Sequence, residues 1–404
     1  GQLVLGAQSM ETGQAAAPET ASRGFERFPS STAATFIVSD PGRILIRGVN
    51  WLGDAVMTTP AVIRLRERFP NAHLVMLCPA KLEGLWRHHP AIDEVLPVER
   101  DSSVFATAKR IRAGRFDAAV ILPNSPRSAL ESWLARVPVR VGYARSRAWL
   151  LTHPVPARAG AVRMRKRTPR EIQRLIQSGA RTREPEPPPA AHQIHEYLWL
   201  VGSLGADTRP VAPQIQVLDA EVEAVRKRFG LEDAKRPVFA LNPGAEYGPA
   251  KRWPLSSFAE AAREIQRTTG CVWLILGGSA DRPAASELET AVGRDSLVRN
   301  IAGETSLREL CAVLKLVRVL LTNDTGPMHV AAAVGTPVVV PFGSTSPELT
   351  GPGLPGDSRH ALLKSTVPCA PCFLRECPID FRCMNGIRPQ TVVDAVLRVA
   401  SGPA

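Results

Sequence analysis

What the sequence lacks excludes several roles before any motif is read. No apolar run approaches the roughly 18 residues that a bilayer-spanning helix needs, so no membrane span is expected. The stretch from Gly1 to Asp40 mixes Glu11, Glu19 and Glu26 with Arg23 and Arg27, and it lacks the basic-then-apolar order of a secretory signal. Residues 1–40 are therefore read as a disordered extension outside the fold. The first residue is glycine rather than methionine, so the chain reads as a fragment or as starting naturally at Met10. Aromatic residues are scarce, at 5%. The seven cysteines form an odd set, and Cys78, Cys271 and Cys311 stand singly in apolar segments, the habit of buried reduced thiols. A soluble, cytoplasmic protein without a disulfide framework is expected.

Acidic residues are the other deficit: 38 Asp and Glu against 50 Lys and Arg, a net charge of +12. Such an excess suggests a nucleic-acid or acidic-membrane partner. It is concentrated, however. Between Arg158 and Arg183 nine basic residues face one acid, Glu171, which supplies +8. The same stretch contains no aromatic residue on which bases could stack, so nucleic acid is not the expected partner. The 404 residues, 44% of them hydrophobic, suffice for two or three domains of about 100–200 residues each.

What is present is an alternation. Arg43–Arg47 reads as a strand, followed by a helix over 60–69, a strand over 73–78, a helix over 82–88 and a strand over 94–98. A helix over 105–113, a strand over 118–122 and a helix over 128–134 follow. The pattern then breaks: residues 158–191 are basic and then Pro-rich, an irregular insertion with one amphipathic piece around Ile172, Leu175 and Ile176. After a helix over 195–204, a second alternation runs from Val238 to Phe342. Such alternation implies parallel sheets covered on both faces. The expected fold is α/β, with two doubly wound halves over residues 41–207 and 208–404. Ligands would bind in the cleft outside the carboxyl ends of the strands.

Four constellations carry chemistry. The loop Gly48-Val-Asn-Trp-Leu-Gly-Asp54 lacks the Gly-x-Gly-x-x-Gly spacing of a dinucleotide site. Asp54 at the following helix entrance has two readings, an N-cap or a general base aimed into the cleft. In Asn323-Asp-Thr-Gly-Pro-Met-His329, Thr325 and Gly326 place backbone amides at the positive end of a helix, with His329 one turn in. A diphosphate suits that position. Asp324 would repel it and is expected to order the loop or bond a sugar hydroxyl; a plain cap and a plain core histidine are the alternatives for Asp324 and His329. The loop Asn242–Pro254 brings Gly244 and Gly248, which allow close backbone approach, together with the positive charges of Lys251 and Arg252. Finally, Cys369-x2-Cys372-x4-Cys377-x5-Cys383 sets four thiols within fifteen residues. These form either a structural metal site or a loop of reduced or redox-sensitive thiols, without a catalytic role.

Trp51-Leu-Gly-Asp54, Leu122-Pro-Asn-Ser125, Pro243–Pro254, Asn300-Ile-Ala-Gly-Glu-Thr305 and Asn323–Ala332 resemble, in order, the motifs of the ADP-heptose:lipopolysaccharide heptosyltransferases, glycosyltransferase family 9. The resemblance covers roughly Arg43 to Val399, and the Gly-Ala-Glu-Tyr-Gly-Pro-Ala-Lys loop and the four-cysteine tail favour the type II branch. It implies a GT-B fold, two Rossmann-like domains facing a central cleft. It also implies inverting transfer of heptose from ADP-L-glycero-D-manno-heptose to a heptose of the lipid A-core acceptor, with no cofactor required for catalysis. Asp54 then corresponds to the catalytic base, Lys251 to a donor-phosphate contact, and Asp324, Thr325, Gly326 and His329 to the donor-binding loop. Gly244 and Arg252 join them from the loop reading. The first forty residues match nothing in the family, and the insertion is expected to lengthen the acceptor-facing half. Its charge is expected to hold the protein peripherally at the anionic inner face of the inner membrane. Another nucleotide-sugar glycosyltransferase of this fold, or a non-catalytic nucleotide-sugar-binding protein, are the alternatives.

Overall fold

A computed structural model describes residues 40–179, 187–232, 236–293 and 297–402. The extension expected over residues 1–40 lies outside them except for Asp40, as do Arg181 and Arg183 at the end of the basic stretch.

Each half is built on a six-stranded sheet in which every pairing is parallel. The first holds β1 (Arg43–Arg47), β2 (His73–Pro79), β3 (Glu94–Val98), β4 (Ala118–Ile121), β5 (Val139–Tyr143) and β6 (His153–Val155), in the order β3-β2-β1-β4-β5-β6. The second holds β7 (Val238–Asn242), β8 (Val272–Ile275), β9 (Val298–Asn300), β10 (Leu320–Thr322), β11 (Val338–Phe342) and β12 (Ala361–Lys364), in the order β12-β11-β10-β7-β8-β9. Both orders reverse beside the first strand of their half, the switch point where doubly wound sheets bind ligands. The central strands β7 and β11 are buried throughout. That is why they read as continuous apolar runs rather than alternating ones.

Helices cover both faces. In the first half these are α1 (Leu52–Arg68), α2 (Glu83–Trp86), α3 (Val104–Ala113), α4 (Pro126–Leu134), α5 (Pro169–Gln177) and α6 (Ile194–Gly202). In the second they are α7 (Asp219–Arg228), α8 (Leu255–Thr269), α9 (Arg282–Val292), α10 (Leu307–Leu316), α11 (Gly326–Ala333), α12 (Pro347–Thr350), α13 (Arg382–Asn385) and α14 (Pro389–Ala400). None among the described residues is long and apolar enough to cross a membrane.

Helix α1 begins well before Pro60, where the sequence pattern placed its start. Proline inside a helix leaves the carbonyl four residues earlier without its amide donor. Here that carbonyl, on Val56, accepts a 2.8 Å hydrogen bond from the Thr59 hydroxyl, so the helix runs through. The strands β5, β6 and β12 and the helices α7 and α14 also escaped the sequence pattern. β5 is interrupted by Arg140 and Gly142, and β6 is a three-residue edge strand with Pro154 at its centre. Only Val225 of α7 is buried, so its apolar stripe is nearly absent.

The amphipathic piece read within the insertion is a helix. Pro169–Gln177 forms α5, begun by a capping box between Thr168 and Glu171 and lying on the cysteine segment of the C-terminal half, while Arg158 ties the start of the insertion to Glu196 of α6 at 3.1 Å. Ile172 is buried with Cys369 and Cys372. The Arg167 amide donates to the Cys372 carbonyl at 3.0 Å, and its guanidinium donates to the Pro371 carbonyl at 3.0 Å. Elsewhere the halves meet through α1 against α11 and α2 against α10, with Arg308 donating to the Gly84 carbonyl at 3.3 Å. One apolar core runs from β1 and α1 through α6 into α10, α11 and β11.

Candidate functional site

The first turns of α1 and α11 pack directly against each other where the two halves meet. Gly53 packs directly on the imidazole of His329; a Cβ there would sit 2.7 Å from His329 Cδ2. Reciprocally, a Cβ on Gly326 would sit 2.9 Å from a methyl of Leu52. Both glycines are therefore required by close approach of the two halves, a constraint that distances under 3 Å make strict.

Asp54 occupies the first turn of α1, whose N-cap is Trp51, and no side-chain cap is present. The N-cap reading of Asp54 is thus not what the fold uses. Its carboxylate accepts from Gln193 Nε2 at 3.4 Å, and the same amide donates to the Tyr197 hydroxyl at 2.9 Å. Burial raises the Asp54 pKa above the ordinary aspartate value, while the Gln193 hydrogen bond and the positive charge of Lys251 work against that rise. A carboxylate so placed can be ionised at neutral pH yet hold a proton better than a solvated one.

Across the cleft, Lys251 closes a short 3-10 turn (Pro249–Lys251) and pairs with Asp324 at 2.7 Å, both side chains being nearly buried. Asp324 also accepts from the Thr345 hydroxyl at 2.6 Å. Asp324 is therefore engaged in ordering the loop and holding the lysine. Asn323 ties the two donor-side loops together: its amide accepts from the Trp253 backbone at 2.9 Å and donates to the Pro243 carbonyl at 2.7 Å and the Gly244 carbonyl at 3.4 Å. Gly244 lies against the Asp281 carboxylate. Thr325 is the N-cap of α11 without a side-chain cap; Pro327 has no N–H and the Met328 amide donates to the Thr325 carbonyl at 3.0 Å, so the amides this helix start can offer a ligand are those of Thr325 and Gly326. His329 is buried, and burial brings its pKa down to about 4, so the ring is a neutral donor or acceptor at neutral pH. Arg252 stands exposed at the rim beside Lys251.

Residue types alone did not single out Gln193, Tyr197 or Thr345. Each acts through a partner far away in the chain, so local pattern carries no trace of it.

The cysteine segment packs on the donor-side loop: the Tyr247 hydroxyl donates to the Phe373 carbonyl at 3.1 Å, and the Ala250 amide donates to the Arg375 carbonyl at 3.0 Å. Cys369, Cys372, Cys377 and Cys383 are free thiols lining a cavity of about 10 Å³ together with Ile172 and Ala250. Burial raises the pKa of Cys369, Cys372 and Cys383, the last to about 12, so these free thiols are protonated at neutral pH. Among the described residues no group of three or more His, Cys, Asp or Glu side chains is disposed to hold a metal ion. The structural metal left open by the spacing therefore lacks geometric support.

Two doubly wound sheets facing one cleft, with ligand-side loops at both helix entrances, define the GT-B class of glycosyltransferases. The model of Glycosyltransferase family 9 (heptosyltransferase) matches residues 104–381, and the chain belongs to that family. It is 30% identical over 323 residues to lipopolysaccharide heptosyltransferase 2 of Escherichia coli K12, covering 77% of this chain and 85% of that protein. It is 29% identical over 320 residues to lipooligosaccharide heptosyltransferase 2 of Haemophilus influenzae, covering 76% of this chain and 85% of that protein. The solved structure of E. coli ADP-heptose LPS heptosyltransferase II superimposes with a TM-score of 0.70 at 27% identity, covering 89% of this chain and 98% of that one.

Proposed function

We propose that this glycosyltransferase moves heptose from ADP-L-glycero-D-manno-heptose to a heptose of the lipid A-core acceptor and releases ADP. The observation that carries the reading is the meeting of the two helix entrances, which sets the Asp54 carboxylate opposite the Lys251 and α11 loops with Gly53 touching His329. The relatives named above support the donor and acceptor class.

ADP lies against the C-terminal half, its diphosphate held by the Thr325–Gly326 amides and Lys251, with Arg252 at the rim. Asp324 and Gly244 shape that seat, and neutral His329 donates to the bound donor. The acceptor hydroxyl enters from the first half. Its oxygen attacks the anomeric carbon from the face opposite ADP, the bond from that carbon to the phosphate oxygen breaks, and Asp54 takes the hydroxyl proton. The sugar configuration inverts. Charge developing on departing ADP is stabilised by Lys251 and the helix amides, so no metal or other cofactor is required for catalysis. The basic insertion keeps the enzyme peripheral on the anionic inner-membrane surface, next to its lipid acceptor.

The test is ADP release with ADP-heptose and a mono-heptosylated Kdo–lipid A acceptor, with and without EDTA. Turnover with this pair that is insensitive to EDTA, and is lost when other nucleotide sugars replace the donor, is expected. Tight donor binding without ADP release would instead favour a non-catalytic binding protein.

A further inference from the structure

Large apolar side chains left exposed on this protein are not scattered. Among the described residues there are seven, and four of them, Trp133, Trp149, Val162 and Met164, fall between positions 133 and 164. Trp149 is 72% exposed and Trp133 43%, and the two indoles touch edge to face with centroids 6.5 Å apart. Trp133 lies at the end of α4, and Trp149 on the 3-10 turn Arg145–Leu150 that leads into the edge strand β6. An aromatic pair offers apolar area and two N–H groups at once, a combination suited to the boundary between water and lipid.

The charge of the same stretch is one-sided. From Arg127 to Arg174 the sequence carries twelve basic residues and two acids. Neither acid faces outward freely. Glu131 is fully buried between Arg47 and Arg127, and Glu171 is occupied by the Thr168 amide and Arg165. The exposed cations Arg136, Arg145, Arg163, Lys166, Arg170 and Arg174 have no carboxylate within ion-pair reach among the described residues. On α5, Ile172 turns inward to the cysteine segment while Arg170 and Arg174 stay outside. Apolar exposure and positive charge therefore coincide between positions 127 and 174, where the two acids are both engaged.

We infer that the Trp133–Trp149 pair docks on an anionic lipid bilayer at the headgroup level, with the exposed cations of the same stretch of chain against lipid phosphates. This deepens the membrane-bound acceptor reading above by naming the contact residues, and its test needs neither donor nor acceptor. Failure of the transferase assay and failure of docking are thus separable.

The experiment is sedimentation of the full chain with phosphatidylcholine vesicles, with and without phosphatidylglycerol, across a salt series. Binding should require phosphatidylglycerol and weaken steeply with salt. Trp149→Ala and Arg163→Glu/Lys166→Glu should each lower vesicle affinity about tenfold or more, with unchanged melting temperature and unchanged ADP release on a water-soluble acceptor. Brominated lipids should quench wild-type tryptophan fluorescence more strongly than that of Trp149→Ala. Vesicle binding that is equal in the variants and wild type would overturn the inference. So would loss of a wild-type dimer in Trp149→Ala without any change in vesicle binding, because the indole pair would then serve self-association.

Discussion

The entrances of α1 and α11 use one backbone device for opposite chemistry. Both helices follow a strand that borders the switch point of its sheet, and both begin without a side-chain cap. In α1 the first turn carries its own carboxylate, Asp54, so the positive end of the helix is answered from within the chain. In α11 the first turn carries no acid, and the nearest one, Asp324, is spent on Lys251 and Thr345. One entrance can thus accept a proton while the other can accept an anion. The contrast shows that a doubly wound half acquires its role from two or three side chains at a turn, not from its sheet.

The sharpest way to break the contrast is to remove the α1 carboxylate. Asp54→Asn should lower kcat by roughly 10²–10⁴ and leave ADP affinity unchanged, as read by steady-state ADP release and calorimetric titration of ADP. Turnover close to wild type would leave α1 without its proposed role. Lys251→Ala acts on the other entrance, so both donor affinity and turnover should fall. It also strands the buried Asp324 carboxylate, a loss of up to about 3–5 kcal/mol where a buried pair is broken. The second change Asp324→Asn should restore part of the melting temperature but not donor affinity.

Crowding the contact between the entrances should have a smaller effect. Gly53→Ala forces a methyl group to within 2.7 Å of His329 unless one helix yields, and a displacement near 1 Å can cost up to about a hundredfold in rate. Gly326→Ala presses on Leu52 from the other side, and similar losses in kcat are expected if the two approaches are equivalent. The smallest effect is on pH dependence. Burial raises the Asp54 pKa, so the acid limb of kcat/KM should lie above the ordinary carboxylate range, activity falling as Asp54 protonates. Gln193→Leu removes a hydrogen bond to the ionised form. The limb should therefore move to higher pH, with little change in the plateau; a shift to lower pH would contradict the assigned role of Gln193.

How much of this was legible beforehand depended on range. The central strands and the loops at 48–54, 242–254 and 323–329 stand out because β-branched runs end abruptly in Gly, Pro and Asn, which are local signals. Edge elements such as β6, with Pro154, and the weakly apolar α7 lack those signals. The helix α1 was truncated because Pro60 reads as a start unless the Thr59 hydroxyl is known to replace the missing donor. At the site, Asp54 and the Thr325–Gly326 turn could be found from sequence, but Gln193, 139 residues from Asp54, could not. The contact of α5 with the cysteine segment was illegible for the same reason, since composition describes the insertion's charge and not the surface it lies on.

The clasp between Arg167 and Pro371 joins residues 204 positions apart. At a synthesis rate of about 5–20 residues per second, roughly 10–40 s pass between the emergence of the two ends. Throughout that interval Ile172 has no cysteine segment to cover it, and a basic, partly apolar stretch protrudes from a first half whose own sheet is already complete in sequence. During synthesis Arg158 can already pair with Glu196, so the start of the insertion is fixed early, whereas the cover over Ile172 must wait for the last tenth of the chain.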